Sequence, residues 1–349
     1  MSFGFSTLAV VIVSALVTMV LTAFVRRRAL ANRLIDYPNE RSSHSTPTPR
    51  GGGLAVVAVV LMYVVWAGLS GRISASMAIG FAGGGILVAI AGWLDDLKSM
   101  PMLPRLAFHF VAAGWTLAWL GGFSAVRLGY ATLFLGPLGS VLALIGLVWA
   151  TNLFNFMDGI DGTAAVEALF VGTAGGLFLF RGGAPGLGEL ALVIAASMLG
   201  FLRWNWAPAK IFLGDVGSGF LGFMLAAIAI AAENGKSVPV LVWSILAAVF
   251  IVDATVTLVR RFRKGLWRQP HRTHAYQRAV QAGLTHSQVS LAVAVINLVL
   301  SALAGAAIAR LVPLPVAVYA AFALAAAIYT VVEYRRPFRS EGAPQQLAD

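Results

Sequence analysis

The chain has no cysteine and few charged residues. The absence of cysteine from its 349 residues excludes a disulfide framework, thiolate metal ligands and a cysteine nucleophile. Only 11% of the residues are charged, against about a quarter in a typical water-soluble domain, and 59% are hydrophobic. The mean hydropathy is +0.84. This composition predicts a protein that lies in a lipid bilayer.

Apolar stretches long enough to cross a membrane recur along the whole chain. Hydropathy predicts eleven spans, at residues 4–25, 52–70, 74–94, 104–121, 137–156, 164–180, 187–203, 211–232, 238–259, 288–309 and 312–333. The first is followed by three arginines and has no small-residue cleavage pattern, so we interpret it as a retained span, not a signal peptide. We predict one all-α, polytopic membrane domain over residues 1–335, with a cytoplasmic tail over residues 336–349.

Basic residues are distributed unevenly between the two sets of loops that these spans create. Of the 25 lysines and arginines, five fall in one set and twenty in the other. The larger set is predicted to be cytoplasmic, which places the N-terminus outside and the C-terminus inside. This bias, with attraction to anionic membrane lipid, accounts for the net charge of +11, so nucleic acid is not an expected partner. The smaller set consists of Arg72, Arg127, Arg181, Lys236 and Arg310.

The third predicted span ends in an acidic pair, Asp95 and Asp96. The helix dipole disfavours negative charge at a C-terminal helix end, and a divalent cation or a nearby lysine would remove this penalty. The pair is either two solvated acids at a helix end or part of a functional site. A prenyl-synthase cluster is not supported, because its third acid would fall at Ser99.

The fifth predicted span ends in a polar stretch at residues 152–162, NLFNFMDGIDG. Asn155, Asp158 and Asp161 recur every three residues, so in a helix they would project from one side, together with the nearby Asn152. The two glycines of the stretch allow a ligand to approach the backbone or end the helix. Amide and carboxylate oxygens favour a metal or phosphate site, and the alternative is a polar contact between helices.

Asp215 lies in a glycine-rich stretch, FLGDVGSG, at the start of the eighth predicted span. Unpaired backbone N–H groups at such a helix start suit phosphate. The alternative is that the glycines allow transmembrane helices to pack closely. The embedded carboxylate and Lys210, one turn earlier, favour a magnesium-phosphate site.

The longest predicted cytoplasmic loop, residues 260–288, contains three of the five histidines. Its HRTH group at residues 271–274 can bind a diphosphate through hydrogen-bond donors. The remaining basic residues agree with ordinary positive-inside charge. Asp253, about two turns inside the ninth span, needs a partner, which an arginine or histidine of this loop can supply. All these segments fall on the predicted cytoplasmic face, so they predict one composite site.

In this order, the motifs resemble those of the polyprenyl-phosphate N-acetylhexosamine-1-phosphate transferase family. The resemblance covers about residues 36–286. It implies transfer of a sugar-1-phosphate from a UDP-N-acetylhexosamine to undecaprenyl phosphate, with release of UMP. It also implies Mg²⁺ as cofactor, with Mn²⁺ as an alternative, a multi-pass location in the bacterial inner membrane with the active site facing the cytoplasm, and a homodimer as a further expectation.

The same resemblance assigns roles to individual residues. Asn155 and Asp215 match metal ligands, Asp95 and Asp96 match acids implicated in activating the nucleophile, and Asp215 is also expected to be catalytic. The residues that it assigns to substrate binding are Lys98, Asn152, Asp158, Asp161, Asn205, Phe212, His271, Arg272 and His274. Two of these, Asn205 and Phe212, fall where the family holds uracil, and a phenylalanine face against a pyrimidine is physically reasonable.

The last loop favours the branch of the family that initiates O-antigen synthesis. The muramoyl-pentapeptide branch carries a run of histidines there, whereas this chain has PHRTH at residues 270–274. A basic residue that the O-antigen branch uses near the first cytoplasmic loop is matched only loosely, by His44. The sugar, whether GlcNAc, QuiNAc or FucNAc, has no readable signature.

Other function classes match the motifs less well. A phospho-MurNAc-pentapeptide transferase remains the alternative within the family. A secondary transporter needs acids near the membrane midplane and internal repeats, whereas most acids here lie at one face. A CDP-alcohol phosphotransferase needs an alanine-arginine pair after its first Asp-Gly, and no arginine follows Asp158-Gly159.

Overall fold

The structure, a computed structural model, describes residues 4–38, 46–266 and 271–338. His44 and residues 339–349 of the predicted tail lie outside this part. The described residues form thirteen helices: α1 (Phe5–Ala31), α2 (Gly53–Leu69), α3 (Ala75–Leu97), α4 (Met102–Trp119), α5 (Pro137–Phe156), α6 (Thr163–Arg181), α7 (Pro185–Asn205), α8 (Asp215–Asn234), α9 (Val240–Leu246), α10 (Ala248–Arg263), α11 (Ala275–Gln281), α12 (His286–Ile308) and α13 (Leu314–Arg335). Two antiparallel strand pairs accompany them: β1 (Ile35–Asp36) with β2 (Thr48–Pro49), and β3 (Ala125–Arg127) with β4 (Thr132–Phe134).

Each predicted span contains a helix or, in one case, a pair of helices. Within the described ranges, eight helices are long and apolar enough to cross a membrane, and α9 with α10 makes a ninth candidate bent by 78°. Helix α2 is apolar but shorter, and α4, which carries Arg105 and His109, is less apolar. The all-α, polytopic prediction is confirmed, whereas the count of eleven spans and the orientation of the termini stay predictions.

Helix α8 lies at the centre of the bundle and begins at Asp215. Of its most apolar window 89% is buried, against 17% for α1, and α8 packs against α2, α3 and α5. A β-carbon on Gly92 of α3 would lie 2.5 Å from the carbonyl of Asp215, and one on Gly222 of α8 would lie 2.1 Å from the carbonyl oxygen of Ala150. These glycines let α3 and α5 approach α8 closely, so the end of α3 meets the start of α8.

Backbone contacts also hold the loop before α2 against the segment before α8. The N–H of Gly52 donates to the carbonyl of Phe212 at 2.9 Å, and the N–H of Phe212 donates to that of Pro49 at 2.8 Å. A β-carbon on Gly53 would lie 2.3 Å from the Cα of Gly217. This contact confirms the interpretation that glycines near Asp215 allow close helix packing.

Candidate active site

Asp95 and Asp215 meet at one end of the bundle and share a cation. Nη1 of Arg105, in the first turn of α4, lies 2.8 Å from Oδ2 of Asp95 and 3.3 Å from Oδ2 of Asp215. The other oxygen of Asp95 accepts a hydrogen bond from the N–H of Met100. Arg105 therefore supplies the positive charge that the end of α3 needs. Sequence analysis counted it only as a basic loop residue, although its position four residues after Pro101, beside an acidic pair, was a usable signal.

Asp96 has a different position, because its carboxylate caps the start of α8. The N–H groups of Asp215 and Val216 donate to Oδ1 and Oδ2 of Asp96 at 3.1 and 3.2 Å, and the next two N–H groups donate to the carbonyl of Gly214 at 3.0 Å each. The expectation of unpaired N–H groups at this helix start is wrong, since they already have partners, whereas the magnesium-phosphate site stays a prediction. Gly214 has φ of +76°, and a β-carbon on it would lie 2.5 Å from Oδ2 of Asp96, so the contact requires glycine.

The two predicted asparagines on α5 reach neighbouring helices near this point. Nδ2 of Asn155 donates to Oγ of Ser218 on α8 at 3.2 Å, which places its amide beside the first turn of α8. Nδ2 of Asn152 lies 3.2 Å from Nδ1 of the buried His109 on α4 and also donates to the carbonyl of Val148 at 2.7 Å. Asn155 is therefore close to the predicted metal site, and Asn152 joins α5 to α4. Ser218 and His109 were not identified from the sequence.

Asp158 lies in the loop between α5 and α6 and has no local counter-charge. Helix α5 ends at Phe156, so the shared helical face expected for residues 155, 158 and 161 does not form. No described residue donates a hydrogen bond to the Asp158 carboxylate. Burial raises the pKa of Asp158 well above its usual value, and the negative charges of Asp215, Asp96 and Asp161 raise it further. The Asp158 carboxyl therefore resists ionisation, and a divalent cation bound nearby would favour its charged form.

Tyr276 of α11 fixes the loop that carries Asp158. Its buried hydroxyl accepts a hydrogen bond from the N–H of Gly159 at 2.9 Å and donates one to the carbonyl of Phe156 at 2.9 Å. A β-carbon on Gly159 would lie 2.2 Å from this hydroxyl, so the contact depends on glycine. Sequence analysis missed Tyr276, because a tyrosine in a membrane-protein loop resembles an ordinary interfacial residue.

Asp161 and Phe212 lie in a neighbouring cleft of about 420 Å³. Oδ2 of Asp161 accepts a hydrogen bond from the N–H of Ala209 at 3.0 Å and lies 3.4 Å from Nδ1 of His286. Phe212, Thr48, Pro208 and His286 contribute to the walls.

Asn205 is buried at the end of α7 and binds the backbone next to Asp161 and Phe212, two residues of the cleft wall. Its Oδ1 accepts a hydrogen bond from the N–H of Gly162 at 3.0 Å, and its Nδ2 donates to the carbonyl of Ile211 at 3.1 Å. Both ends of the amide are thus bound to backbone, so Asn205 joins the loop after α5 to the segment before α8. Contact with uracil stays a prediction for Asn205, as it does for Phe212.

Asp253 lies beside His274, a histidine of the loop that was expected to supply its partner. Oδ1 of Asp253 lies 3.4 Å from Nδ1 of His274, and the carboxylate also accepts hydrogen bonds from the N–H groups of Ala275 and Tyr276 at 2.8 and 3.1 Å. The His274 ring lies between those of Phe156 and Tyr276, with centroids 6.2 and 5.8 Å away. The expectation of a histidine partner for Asp253 is confirmed, and His274 is 3% exposed, in a position that supports the loop.

The remaining predicted substrate ligands are less enclosed. His271 and Arg272 are partly buried, and Nδ1 of His271 lies 2.9 Å from Oγ1 of Thr273. Burial, followed by the charges of His274 and Arg261, lowers the pKa of His271 to about 3, so this imidazole is neutral at pH 7. Lys98 follows the end of α3, is exposed, and its side chain forms no hydrogen bond or ion pair with the other described residues.

The donors at the end of α3 and the start of α8 fit Mg²⁺ in their chemistry. They are hard carboxylate and amide oxygens, and the three carboxyl groups of Asp95, Asp158 and Asp215 outnumber the one cation, Arg105, that contacts two of them. No group of three histidine, aspartate or glutamate side chains in the described part of the chain is arranged to hold a metal alone. Mg²⁺ commonly uses one or two carboxylates together with substrate phosphates and water.

Comparison with known proteins agrees with this geometry. The pattern described as glycosyl transferase family 4 matches residues 78–233, which run from α3 to α8. A probable undecaprenyl-phosphate N-acetylglucosaminyl 1-phosphate transferase of Bacillus subtilis is 30% identical over 300 residues, covering 83% of this chain and 82% of the relative. A decaprenyl-phosphate N-acetylglucosaminephosphotransferase of Mycobacterium tuberculosis is 32% identical, covering 80% and 76%.

An undecaprenyl-phosphate alpha-N-acetylglucosaminyl 1-phosphate transferase of Escherichia coli is 29% identical over 286 residues, with coverage of 78% and 76%. The matched family region contains Asp95, Asp96, Asn155, Asp158 and Asp215, the residues that converge at the start of α8. The similarity also extends over most of the chain. The chain therefore belongs to the polyprenyl-phosphate N-acetylhexosamine-1-phosphate transferase family, within glycosyl transferase family 4.

Proposed function

We propose that the protein transfers an N-acetylhexosamine-1-phosphate from its UDP-sugar to undecaprenyl phosphate, releases UMP and requires Mg²⁺. The observation that carries this proposal is the contact of Asp95 and Asp215 through Arg105, beside the uncompensated Asp158. A site with excess negative charge suits a reaction in which a divalent cation and two phosphate groups meet. The product is the lipid-linked sugar that initiates surface polysaccharide synthesis of the O-antigen type, on the cytoplasmic side of the bacterial inner membrane.

An apolar groove supports the assignment of a lipid acceptor. It has a volume of about 350 Å³ and lies between α5, α8 and the bent pair α9 and α10. Its walls are almost entirely apolar and include Leu147, Phe154, Leu225 and Trp243. Phe154 directly precedes Asn155, so a prenyl chain in this groove would have its phosphate end near the acidic site. Such an apolar wall suits the hydrocarbon chain of a lipid acceptor.

The cleft beside Asp161 supports the assignment of a nucleotide donor. Phe212 presents an aromatic ring at its wall, which suits a uracil face. Asp161 and His286 are polar groups in the same wall and can bind uracil or ribose. The loop that carries Asp161 also carries Asp158, so a UDP-sugar in the cleft would extend its diphosphate toward the acidic site.

We propose direct displacement as the reaction. An oxygen of the acceptor phosphate attacks the β-phosphorus of the UDP-sugar, and the bond from that phosphorus to the bridging oxygen breaks, so UMP leaves with the bond electrons. Asp95 orients the attacking phosphate or holds its proton, and Arg105 fixes Asp95 and Asp215 relative to each other. When bound by Asp215 and Asn155, Mg²⁺ would neutralise the charge of the two phosphate groups. His271 and Arg272 bind the diphosphate.

A two-step path through an aspartyl phosphate is the rival mechanism. It would give a labelled, isolable enzyme intermediate when the protein meets a labelled UDP-sugar without the lipid acceptor. Direct displacement gives no such label, because no bond forms until the acceptor phosphate is present.

The test is an assay of the purified protein with undecaprenyl phosphate and a panel of UDP-GlcNAc, UDP-QuiNAc, UDP-FucNAc and UDP-MurNAc-pentapeptide. We expect UMP and lipid product from one of the first three donors, loss of both on chelation, and recovery on addition of Mg²⁺. Turnover only with the muramoyl donor would assign the protein to the alternative branch. No UMP from any donor in the presence of Mg²⁺ and acceptor would refute the proposed function.

A further inference from the structure

A second polar cavity lies at the opposite end of the bundle from Asp215. Helix α8 separates the two, because it begins at Asp215 and ends at Asn234, a length of about 30 Å. The cavity has a volume of about 720 Å³ and is formed by the β3–β4 hairpin, the segment between α8 and α9, and the connection from α12 to α13. We call it the far-end cavity. Its lining includes Arg127, Lys236, Val242, Ile308, Arg310 and Leu314.

The charge of the far-end cavity is entirely of one sign. Three of the five basic residues on the sparsely charged face, Arg127, Lys236 and Arg310, line it, although they come from three separate segments. No aspartate or glutamate is among the lining residues of the described structure. On a face that carries so few cations, this convergence is not the result of a general positive charge. It creates a local positive potential that attracts anions.

Arg127 is held rigidly and retains an unused donor. Its Nε donates to Oε1 of Glu233 at 2.8 Å, and its Nη1 donates to the carbonyl of Lys236 at 2.8 Å. Its Nη2 is buried and has no hydrogen-bond partner among the described residues. The guanidinium of this lining residue thus has donor capacity that the described residues leave unused, and its planar donors match the oxygens of a phosphate group.

The other two cations occupy backbone positions that usually favour glycine. Lys236 and Arg310 follow the ends of α8 and α12 with φ of 55° and 60°. Glycine is the common residue in this left-handed conformation at a helix end, because a β-carbon is unfavourable there. Both side chains are exposed, and neither forms an ion pair with a carboxylate of the described residues. Lys236 and Arg310 thus place long cationic side chains at two helix ends where the backbone conformation favours glycine.

We propose that the far-end cavity binds a phosphate group, and that its source is the head group of a membrane phospholipid. The cavity joins its cations to an apolar wall that includes Val242, Ile308 and Leu314. The hairpin beside it exposes two aromatic side chains, Tyr130 and Phe134, each 81% accessible. Exposed aromatic rings next to cations are typical of the head-group region of a membrane. A soluble phosphate anion has the same recognition chemistry and is the second source to be tested.

The experiment removes the two exposed cations without adding backbone strain. Asparagine tolerates the left-handed region better than other residues with a β-carbon, so Lys236→Asn, Arg310→Asn and the double variant are suitable. Arg181→Asn is the matched control, because Arg181 belongs to the same set of five, is exposed and does not line the cavity. Binding of phosphatidylglycerol to the full-length protein in detergent is measured by native mass spectrometry and by the shift in melting temperature. A parallel arm uses inorganic phosphate.

We expect each single variant to bind phosphatidylglycerol roughly fivefold more weakly, and the double variant roughly thirtyfold more weakly, with Arg181→Asn like the wild type. The same pattern in the inorganic phosphate arm alone would retain the site and assign it to a soluble anion. Equal binding of both probes by wild type, double variant and control would overturn the proposal. UMP release is not a readout here, so the result does not depend on the proposed function.

Discussion

Acidic side chains at the two ends of the bundle have opposite surroundings. At the end far from the candidate site, Glu189 is buried and accepts hydrogen bonds from Tyr63 at 2.8 Å and from Arg72 at 2.6 Å. Glu233 is also buried and pairs with Arg127 at 2.8 Å. Each of these carboxylates thus has its own guanidinium and at least one further donor. Their contribution is to join helices and loops that would otherwise separate.

At the other end the carboxylates outnumber their cations. Asp95 and Asp215 share Arg105, and Asp158 has no hydrogen bond from the described residues. The raised pKa of Asp158 reflects burial first and then repulsion from its acidic neighbours. A protein that needed acids only for stability would not concentrate them without partners. Compensated acids therefore hold this fold together, whereas the uncompensated acids lie at the end where we propose that the substrates bind.

The largest effect is expected for Asp215→Asn. The variant keeps the shape of the side chain but removes a charge from the site, so UMP release should fall by on the order of a thousandfold or more. Its melting temperature should stay the same or rise, because repulsion toward Asp95 and Asp158 is removed. Turnover near the wild-type rate in a folded Asp215→Asn variant would contradict the assignment of this end as the active site.

A smaller loss is expected for Gly92→Ala. Its β-carbon would lie 2.5 Å from the carbonyl of Asp215, so the start of α8 must move away from α3. A displacement near 1 Å at a reacting site reduces turnover by roughly a hundredfold. Gly114→Ala on α4 is the matched control, since nothing lies within 4 Å of its β-carbon. If both alanine variants release UMP at equal rates, close packing at Gly92 does not position the site.

The converse effect is expected for Glu189→Gln at the far end. The change leaves Arg72 without its counter-charge and should reduce the free energy of unfolding by about 2 kcal/mol. This is less than for a fully buried pair, because the Arg72 side chain is 31% exposed. Thermal melting checks the loss, and UMP release per folded molecule should match the wild type. A large fall in turnover without a fall in melting temperature would break the distinction between the two ends.

The smallest effect at neutral pH is expected from His271, because its contribution appears only in acid. The folded protein holds the pKa of His271 at about 3, whereas the unfolded chain has the ordinary value near 6.5. Below pH 6.5 the unfolded chain therefore takes up a proton that the folded protein does not, so stability falls as the pH drops toward 3. As the pH drops over this range, the melting temperature of His271→Gln should fall less steeply than that of the wild type. Above pH 6.5 the two should depend on pH in the same way. If both proteins lose stability equally over this range, folding does not lower the pKa of His271.

The helices could be predicted from the sequence because apolar length is sufficient to locate them. Each predicted span contains a helix or, for α9 and α10, a helix pair. The bend of 78° at Ala247 could not be predicted, because the sequence there is continuously apolar and contains neither proline nor glycine. The number of membrane crossings likewise depends on α2 and α4, which are short or less apolar.

The membership of the site was largely predictable, whereas the partners of its residues were not. Asp95, Asn155 and Asp215 converge as expected. They could be identified because polar residues at the ends of apolar helices are rare in this chain. Arg105 was missed, since a basic residue at the start of a span also satisfies the positive-inside rule. The amides at the start of α8 were expected to be unpaired, and only the fold shows that the first two donate to Asp96. Pairing across helices is set by packing, which no single segment encodes.

The position of Asp96 at the start of α8 affects how an inactive Asp96 variant should be interpreted. Because its two oxygens each accept a hydrogen bond from α8, replacing Asp96 would fray the helix turn that presents Asp215. The cause of inactivity in an Asp96 variant would thus be ambiguous, because a displaced Asp215 and the loss of a proton acceptor would both abolish UMP release. Separating the two demands a probe of local order, such as amide exchange at Val216, before any chemical role is assigned to that side chain.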